Sequence, residues 1–381
     1  MKTPAVIIVF LLITNLVVLS QPYPVGNRQM SFTDPARSRT IATRVYHPAA
    51  ATGSNQPFAT GAFPLIILGH GFSMSYDAYL NFADSLVPLG YIIIMPTTEV
   101  GPIPFPSHEN FALDLSFLNT HIKGLNGNSG SVFYQHVAST SAIMGHSMGG
   151  GCSFLACAGN SNVTTMVTFA PAETNTSAIT AAAQITIPAL VFSGQNDGVT
   201  KPSENHIPMY NNLASDCKTF VNIIGGGHCY YALSNWACDF GESTSSPQPT
   251  ITREQQQQVT FSLLIPYLNN MLKNDASQGS LFMNRLQTLT TITYQRDCLT
   301  SVNESHPSSG FIYPVPFSSE IQIPASYSLP VTVKIYTISG IRLYENTVSE
   351  KQINLSSLEK GLYLIEISDS KNTSVYKAIK N

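Results

Sequence analysis

The segment Ile143-Met144-Gly145-His146-Ser147-Met148-Gly149-Gly150-Gly151 constrains this chain more than any other. An apolar run stops at a glycine, presents a serine and continues through small residues into a helical pattern, so a strand must enter a helix through a very tight turn. Such a turn forces its middle residue into a strained backbone conformation, and only side-chain-free neighbours, Gly145 and Gly149, let the chain bend so sharply. Ser147 Oγ then stands clear at the carboxyl end of a sheet. The pentapeptide G-x-S-x-G also occurs by chance in many proteins, so its meaning depends on what surrounds it.

Leu65-Ile66-Ile67-Leu68 and Tyr91-Ile92-Ile93-Ile94-Met95 are short, wholly apolar runs of the kind buried on both faces of a parallel sheet. The first ends in Gly69-His70-Gly71-Phe72-Ser73 and the second is closed by Pro96. Between them, Tyr76 to Leu89 has helical apolar spacing and stops at Gly90. Phe111 to Leu125 and Met148 to Ala158 read as helices; Thr140 to Met144, Thr164 to Phe169, Ala189 to Ser193 and Lys218 to Ile224 read as strands. Glu254 to Lys273 closes this part as a long helix whose Gln-rich start is read as a solvated face. Upstream, Asn27 to Thr33 and Ile41 to His47 read as strands split by Asp34-Pro35, and residues 48 to 63 as a surface loop. Strands alternating with helices predict an α/β domain, a parallel sheet covered on both faces, with its ligand outside the carboxyl ends of the strands.

A serine hydroxyl is a poor nucleophile at neutral pH and needs a base, which in turn needs a partner to fix its tautomer. Asp197 follows the strand ending at Ser193, and His228 follows the next strand after Gly225-Gly226-Gly227. Each sits just past its own strand, in the order Ser147, Asp197, His228. His70 is a rival base, though it occupies the loop where oxyanion donors belong; Glu173 and Asp114 are rival acids. The main-chain N–H groups of Met148 and Phe72 are the expected oxyanion hole, Gly71 letting the backbone approach the substrate. Phe72, His146, Met148, Ala172, Glu173 and Val199 are expected to line the cleft.

Charged residues make up only 11% of the 381, and the formal net charge is -3. That excludes a basic field for nucleic acid or a polybasic membrane patch and points to an uncharged substrate or to none in particular. Residues 1 to 20 read as a secretory signal, with Lys2 as the positive flank, Ala5 to Leu19 as the apolar core and Val18-Leu19-Ser20 before the cleavage point; an N-terminal membrane anchor is the alternative. Export permits disulfides. Of the six cysteines, Cys152 and Cys157 fall on the helix after the turn and read as buried thiols. Cys217 and Cys229 flank a strand that rises about 3.3 Å per residue and cannot bond to each other. Cys229 can reach Cys238 across a short loop, leaving Cys217 to Cys298 or unpaired. No C-x-x-C pair suggests a metal, and no cofactor is expected. Near residue 300 the chain changes character. Asn303 to Gly310 reads as a linker, and Val331 to Tyr336, Ile341 to Tyr344, Tyr363 to Ile367 and Val375 to Ile379 as short strands of a small all-β sandwich.

Gly145-His146-Ser147-Met148-Gly149-Gly150-Gly151, Val191-Phe192-Ser193-Gly194-Gln195-Asn196-Asp197 and Ile224-Gly225-Gly226-Gly227-His228-Cys229 together make residues 21 to 300 resemble the secreted polyester hydrolases of the cutinase and PET-hydrolase type, in the dienelactone-hydrolase-like branch of the α/β hydrolases. The resemblance implies an α/β-hydrolase fold, Ser147 as nucleophile, Asp197 as acid, His228 as base, and Phe72 and Met148 as oxyanion donors. Two departures stand out. Where that family often carries a Trp to stack an aromatic acid unit, this chain has Pro171-Ala172-Glu173, and of the family's C-terminal bridge only Cys298 is evident. Residues 311 to 381 resemble the sorting domain of the type IX secretion system through Ile312-Tyr313-Pro314-Val315-Pro316, Ile338-Ser339-Gly340, Ile353-Asn354-Leu355-Ser356-Ser357-Leu358 and Lys360-Gly361-Leu362-Tyr363, with Val315 in place of the usual Asn. Composition alone also allows a carbohydrate-binding sandwich.

These readings predict a signal peptide (1–20), an α/β-hydrolase domain (21–300), a linker (301–310) and a C-terminal β-sandwich (311–381) recognised by the secretion machinery, its tail removed on export. The expected protein is a secreted or cell-surface monomer, a serine ester hydrolase for short-chain esters and polyesters, aliphatic before aromatic. Alternatives on the same fold are a lipase, a peptidase or a lactonase; from another class, a non-catalytic surface binder.

Overall fold

Side chains alternate across a strand, so a run that is apolar at every position must be covered on both sides. The strand through Leu65-Ile66-Ile67-Leu68 meets that condition: Leu65 and Ile67 enter one hydrophobic core, Ile66 and Leu68 another. The computed structural model describes residues 22–298, 312–324, 327–337, 341–370 and 373–381. They fall into two units, Met1–Cys298 and Leu299–Asn381. The expected signal peptide and linker, and the Ile338-Ser339-Gly340 motif, lie outside the described residues.

The first unit carries strands β1 (Val25–Asp34), β2 (Arg39–Pro48), β3 (Gly53–Ser54), β4 (Phe63–Gly69), β5 (Ile92–Pro96), β6 (Val137–His146), β7 (Thr165–Phe169), β8 (Ala189–Gly194), β9 (Cys217–Ile223) and β10 (Ile292–Cys298). Its helices are α1 (Leu80–Leu86), α2 (His108–Leu125), α3 (Met148–Cys157), α4 (Ala178–Ala182), α5 (His206–Asn212), α6 (Trp236–Thr244), α7 (Arg253–Lys273) and α8 (Ala276–Thr288). One sheet holds all the strands in the order β10-β9-β8-β7-β6-β4-β5-β2-β1-β3. From β5 to β9 the neighbours are parallel, while β10 at one edge and β2 and β1 towards the other pair antiparallel. Residues of α2, α3, α4 and α5 pack on one face with Ile143, Met166 and Val191. Residues of α1, α7 and α8 cover the other with Met144, Val167, Phe169 and Phe192. This is the doubly covered parallel sheet of an α/β hydrolase.

The predicted helix from Tyr76 to Leu89 is three pieces: 3-10 turns at Tyr76–Tyr79 and Val87–Leu89 flank α1. Pro88, in the last piece, lacks the N–H of a regular turn, and Gly90 ends it at φ 87°, a left-handed conformation suited to glycine. The α6, α8 and β10 segments are absent from the sequence reading. In β10 only Ile292 is buried, so the period-2 signal of a strand is missing. Its last residue, Cys298, stands opposite Cys217 in the register and is bonded to it. Of the two outcomes left open for Cys217, the bond to Cys298 is the one formed. Cys229 is bonded to Cys238, and Cys152 and Cys157 are free and buried.

The second unit consists of β11 (Glu320–Gln322), β12 (Val331–Thr337), β13 (Arg342–Val348), β14 (Gln352–Asn354), β15 (Gly361–Ser368) and β16 (Thr373–Lys380). A four-stranded antiparallel sheet, β13-β12-β15-β16, and the pair β11-β14 share one core that includes Val333, Ile335, Ile365, Ile367, Ile321 and Ile353. The buried Lys380 donates from Nζ to the carbonyls of Leu355 (2.8 Å) and Ser356 (3.2 Å), which satisfies its ammonium inside the sandwich.

Asp114, a rival acid by sequence, is structural. Fully buried on α2, its carboxylate accepts from Arg37 Nη2 (2.7 Å), Arg39 Nε and Nη2 (both 2.9 Å) and Thr98 Oγ1 (2.7 Å). Removing it leaves the Thr98 hydroxyl without this acceptor and takes one of two carboxylate partners from each arginine, Arg37 keeping Asp34 and Arg39 keeping Glu99. Asp114→Ala should therefore cost ~2–4 kcal/mol in denaturant unfolding while the surviving folded enzyme keeps its turnover per site; a loss below about 0.5 kcal/mol would contradict this account.

Candidate active site

Ser147 sits between β6 and α3 with φ 55° and ψ -119°, a conformation costly for any residue with a Cβ. Its neighbours leave no room for side chains. A Cβ on Gly145 would lie 2.1 Å from Gly149 O, and one on Gly149 2.4 Å from the carbonyl carbon of Gly69. The serine is held by its own backbone, since Ser147 N donates to Phe169 O (3.0 Å) while Ser147 O accepts from Gly151 N (3.0 Å) and Ala172 N (2.9 Å).

The loops after β8 and β9 run against each other at the same end of the sheet. Asn196 N donates to Gly226 O at 2.8 Å, and a Cβ on Gly194 would lie 2.7 Å from that carbonyl. Asp197 and His228 are thereby brought together. His228 Nδ1 lies 2.8 Å from Asp197 Oδ2, and His228 Nε2 lies 2.9 Å from Ser147 Oγ. Asp197 Oδ1 accepts from the backbone N–H of Val199 (2.9 Å) and Thr200 (2.7 Å). Burial pushes the Asp197 carboxyl up, but the charge and hydrogen bond of His228, with His206 and the Thr200 N–H, outweigh it and hold the group below its usual range. For His228 burial favours the neutral ring; the charge and hydrogen bond of Asp197, with Glu242 behind, reverse this and raise it above an ordinary histidine.

Several residues that sequence reasoning missed fix the His228 loop. Gln256 on α7 is fully buried, its Oε1 accepting from Gly227 N (2.8 Å) and its Nε2 donating to Gly227 O (3.0 Å). The Gln-rich start of α7 is therefore more than a solvated face: Gln255 completes a capping box with Thr252, and Gln257 donates to Ala232 O. Glu242 Oε2 accepts from Cys229 N at 2.6 Å. Thr200 and His206 complete the surroundings of Asp197; their only signal in sequence is spacing, three and nine residues after it.

The expected cleft residues separate into two groups. Phe72 and Val199 are each 40% exposed, and Phe72 packs against Phe105, itself exposed, with ring centroids 5.3 Å apart. Ala172 is half-buried beside the Ser147 carbonyl. Glu173, also half-buried, turns its Oε2 to accept from Ile179 N at the start of α4, so it serves neither as the acid nor as a free wall. Met148 is buried in the core; as the first residue of α3 its N–H has no helical acceptor. His146 does not line a cleft. It is fully buried, with Nδ1 2.9 Å from Tyr79 Oη and Nε2 2.9 Å from His228 O, because alternation along β6 turns it into the core with Ala142 and Met144. Burial and the neighbouring His228 bring its pKa down to about 3. His70, the rival base, is likewise buried, its ring nitrogens 2.9 Å from Gly71 O and 2.8 Å from Thr98 O.

Among the described residues His146, His228 and Cys238 have metal-ligand spacing, their ligand atoms lying within 4.8 Å of one another. Cys238 is committed to the disulfide and the histidine nitrogens to hydrogen bonds, so the set does not fit a metal. The same spacing puts Cys238 Sγ, a disulfide sulfur, within 4.8 Å of a ring nitrogen of His228.

Residues 311–381 match the secretion system C-terminal sorting domain. The chain is therefore exported by the type IX route to the cell surface or beyond. No helix among the described residues is long and apolar enough to cross a membrane. None of the curated proteins compared with the chain matches it significantly. Residues 33–242, more than half of the chain and with the Ser147 turn and Asp197 inside them, match the PET hydrolase-like family, and the chain belongs to that family.

Proposed function

We propose that this protein is an exported carboxylic ester hydrolase that acts through an acyl-enzyme on short-chain esters and polyesters. The observation that carries the reading is the unbroken set of contacts from Ser147 Oγ through His228 (2.9 Å) to Asp197 (2.8 Å). Ser147 Oγ attacks the ester carbonyl while His228 Nε2 takes its proton, and Asp197 holds the imidazolium that forms. The tetrahedral oxyanion is met by the N–H groups of Met148 and Phe72. His228 then passes its proton to the leaving alcohol, and water releases the acid by the same steps in reverse. The weakly charged chain and the apolar Phe72, Phe105 and Val199 suit an uncharged, partly apolar ester. A lipase and a non-catalytic binder are outcomes of the tests below.

Ser147→Ala should lower hydrolysis of a soluble chromogenic ester by several orders of magnitude in a folded protein, since only binding and oxyanion assistance survive. Activity above a few per cent of the parent, free of contamination, would remove Ser147 from the mechanism.

The bridge between Cys229 and Cys238 ties the residue after His228 to α6. Replacing both cysteines with Ser should cost ~2–3 kcal/mol of stability, and inactivation on heating should precede global unfolding. Peptide mapping without reductant checks the bond itself; two free thiols in the exported protein would end the argument.

Substrate range follows from Ala172 standing where related enzymes often stack a Trp. Stacking on a Trp face contributes about 0.5–1.5 kcal/mol beyond area, so its absence should slow capture of a rigid aromatic diacid unit by about tenfold. The enzyme should cleave aliphatic polyester faster than aromatic polyester at matched crystallinity and area, and Ala172→Trp should raise only the aromatic rate. Equal rates in the parent would assign the aromatic contact to other residues, Phe72 and Phe105 first.

A further inference from the structure

Behind Asp197 lies a second histidine that the triad does not use. His206, at the start of α5, is fully buried, with Nδ1 2.8 Å from Ser193 Oγ and Nε2 3.0 Å from Thr200 Oγ1. Its Nε2 is also 3.7 Å from Asp197 Oδ2. Thr200 Oγ1 is in turn 3.0 Å from Asp197 Oδ2, 2.9 Å from His228 Nδ1 and 3.3 Å from Ala170 O. We infer that Ser193, His206 and Thr200 form a one-way hydrogen-bond relay aimed at Asp197, and that Thr200 and His206 are positioning residues that keep the acid ionised and facing His228. The inference rests on the ester-hydrolase reading of the triad.

The direction follows from counting protons. A threonine hydroxyl has one, and a neutral imidazole has one N–H. Burial keeps His206 neutral, drawing its pKa down to about 4 against the opposing charge of Asp197. If its proton is on Nε2, that N–H donates to Thr200 Oγ1, the Thr200 proton is left for the carboxylate, and Nδ1 accepts from the Ser193 hydroxyl. The other tautomer takes the Thr200 proton away from Asp197 and leaves a lone pair facing an anion. The carboxylate therefore selects the first arrangement. Asp197 then has a donor for each near lone pair: Val199 N and Thr200 N on Oδ1, Thr200 Oγ1 and His228 Nδ1 on Oδ2. A hydroxyl donated to a buried carboxylate makes the anion less basic and fixes its rotamer, so the relay sets both the aim of Asp197 and how strongly it holds the proton on His228.

The test uses the full-length enzyme and a soluble short-chain nitrophenyl ester. The charged and titratable groups facing His228 are Asp197, Glu242 and His146, and those facing His206 are Asp197 and His228. Thr200→Val keeps shape and removes the hydroxyl; His206→Phe fills the space without a donor, after which the Thr200 proton can turn to Ala170 O. Both should lower kcat by about ten- to a hundredfold, the loss of one charge-assisted hydrogen bond, with KM within about twofold. Asp197 becomes more basic and holds the His228 proton more tightly, so the acid limb of kcat/KM moves to higher pH. Thr200→Ser and His206→Gln, which restore a hydroxyl and an N–H donor, should return the limb towards the parent. A folded Thr200→Val enzyme with the parent's kcat and acid limb would overturn the inference. So would a His206→Phe loss without a limb shift that His206→Gln fails to rescue, because His206 would then only fill space. Should His206→Phe not fold, Thr200→Val and Thr200→Ser still decide. Ser147→Ala, assayed alongside, separates this result from failure of the triad reading, which alone would leave that variant active.

Discussion

The contact between two backbones at the turn after β6 governs the active end of this protein. Gly145 and Gly149 approach so closely that a methyl group on either would overlap main-chain atoms, and Ser147 between them takes a positive φ. A non-glycine residue in such a conformation costs roughly 1–3 kcal/mol and persists only when its surroundings over-determine it. Here they do. The strand on one side supplies Gly69, the strand on the other supplies the carbonyl of Phe169, and the loop beyond gives the N–H of Ala172. The strain is therefore paid by the two neighbouring strands together with the loop after β7, which between them hold the backbone that presents the hydroxyl.

His228 is placed by different means. Gly225 carries φ +71° and starts a run of three glycines that contributes no side-chain packing, so its order must come from outside. Gln256 brackets Gly227 through both amide atoms, Glu242 takes the N–H of Cys229, His146 takes the carbonyl of His228, and the disulfide ties Cys229 to α6. These groups satisfy one another, which lowers the penalty of burying them, except that Glu242 uses only Oε2 and leaves its buried Oε1 without a hydrogen-bond partner among the described residues. A flexible peptide thus becomes a rigid support because neighbours fill its hydrogen bonds.

How much of this could be read beforehand divides along physical lines. The parallel sheet was legible because Leu65-Ile66-Ile67-Leu68 and its counterparts are apolar at every position, and the turn at Ser147 was legible because only glycine tolerates what it demands. The three residues now joined by hydrogen bonds were legible from their places just beyond three strands. By contrast, β10 has only Ile292 buried and gave no periodic signal, and Gln256 looked like its solvated neighbours because amides carry no mark of burial. His146 was misplaced for a sharper reason. Its place beside Ser147 in the chain says nothing of direction: it still belongs to β6 and obeys the alternation that sends Ala142 and Met144 inward.

That inward turn gives His146 its use. Through Nε2 it joins the end of β6 to the carbonyl of His228, so the strand that positions Ser147 also positions His228, and the two cannot drift independently. The same site shows how one side chain serves opposite purposes. His146 and His206 are drawn down to about 3 and about 4 chiefly by burial, and so remain uncharged structural rings at neutral pH. His228 is as deeply buried, yet it titrates above an ordinary histidine because the Asp197 carboxylate is in direct contact with it. His206 feels that carboxylate only at 3.7 Å, with the Thr200 hydroxyl bonded to both groups. Desolvation alone would have neutralised all three; which ring holds a proton most readily is decided by which one touches the Asp197 carboxylate.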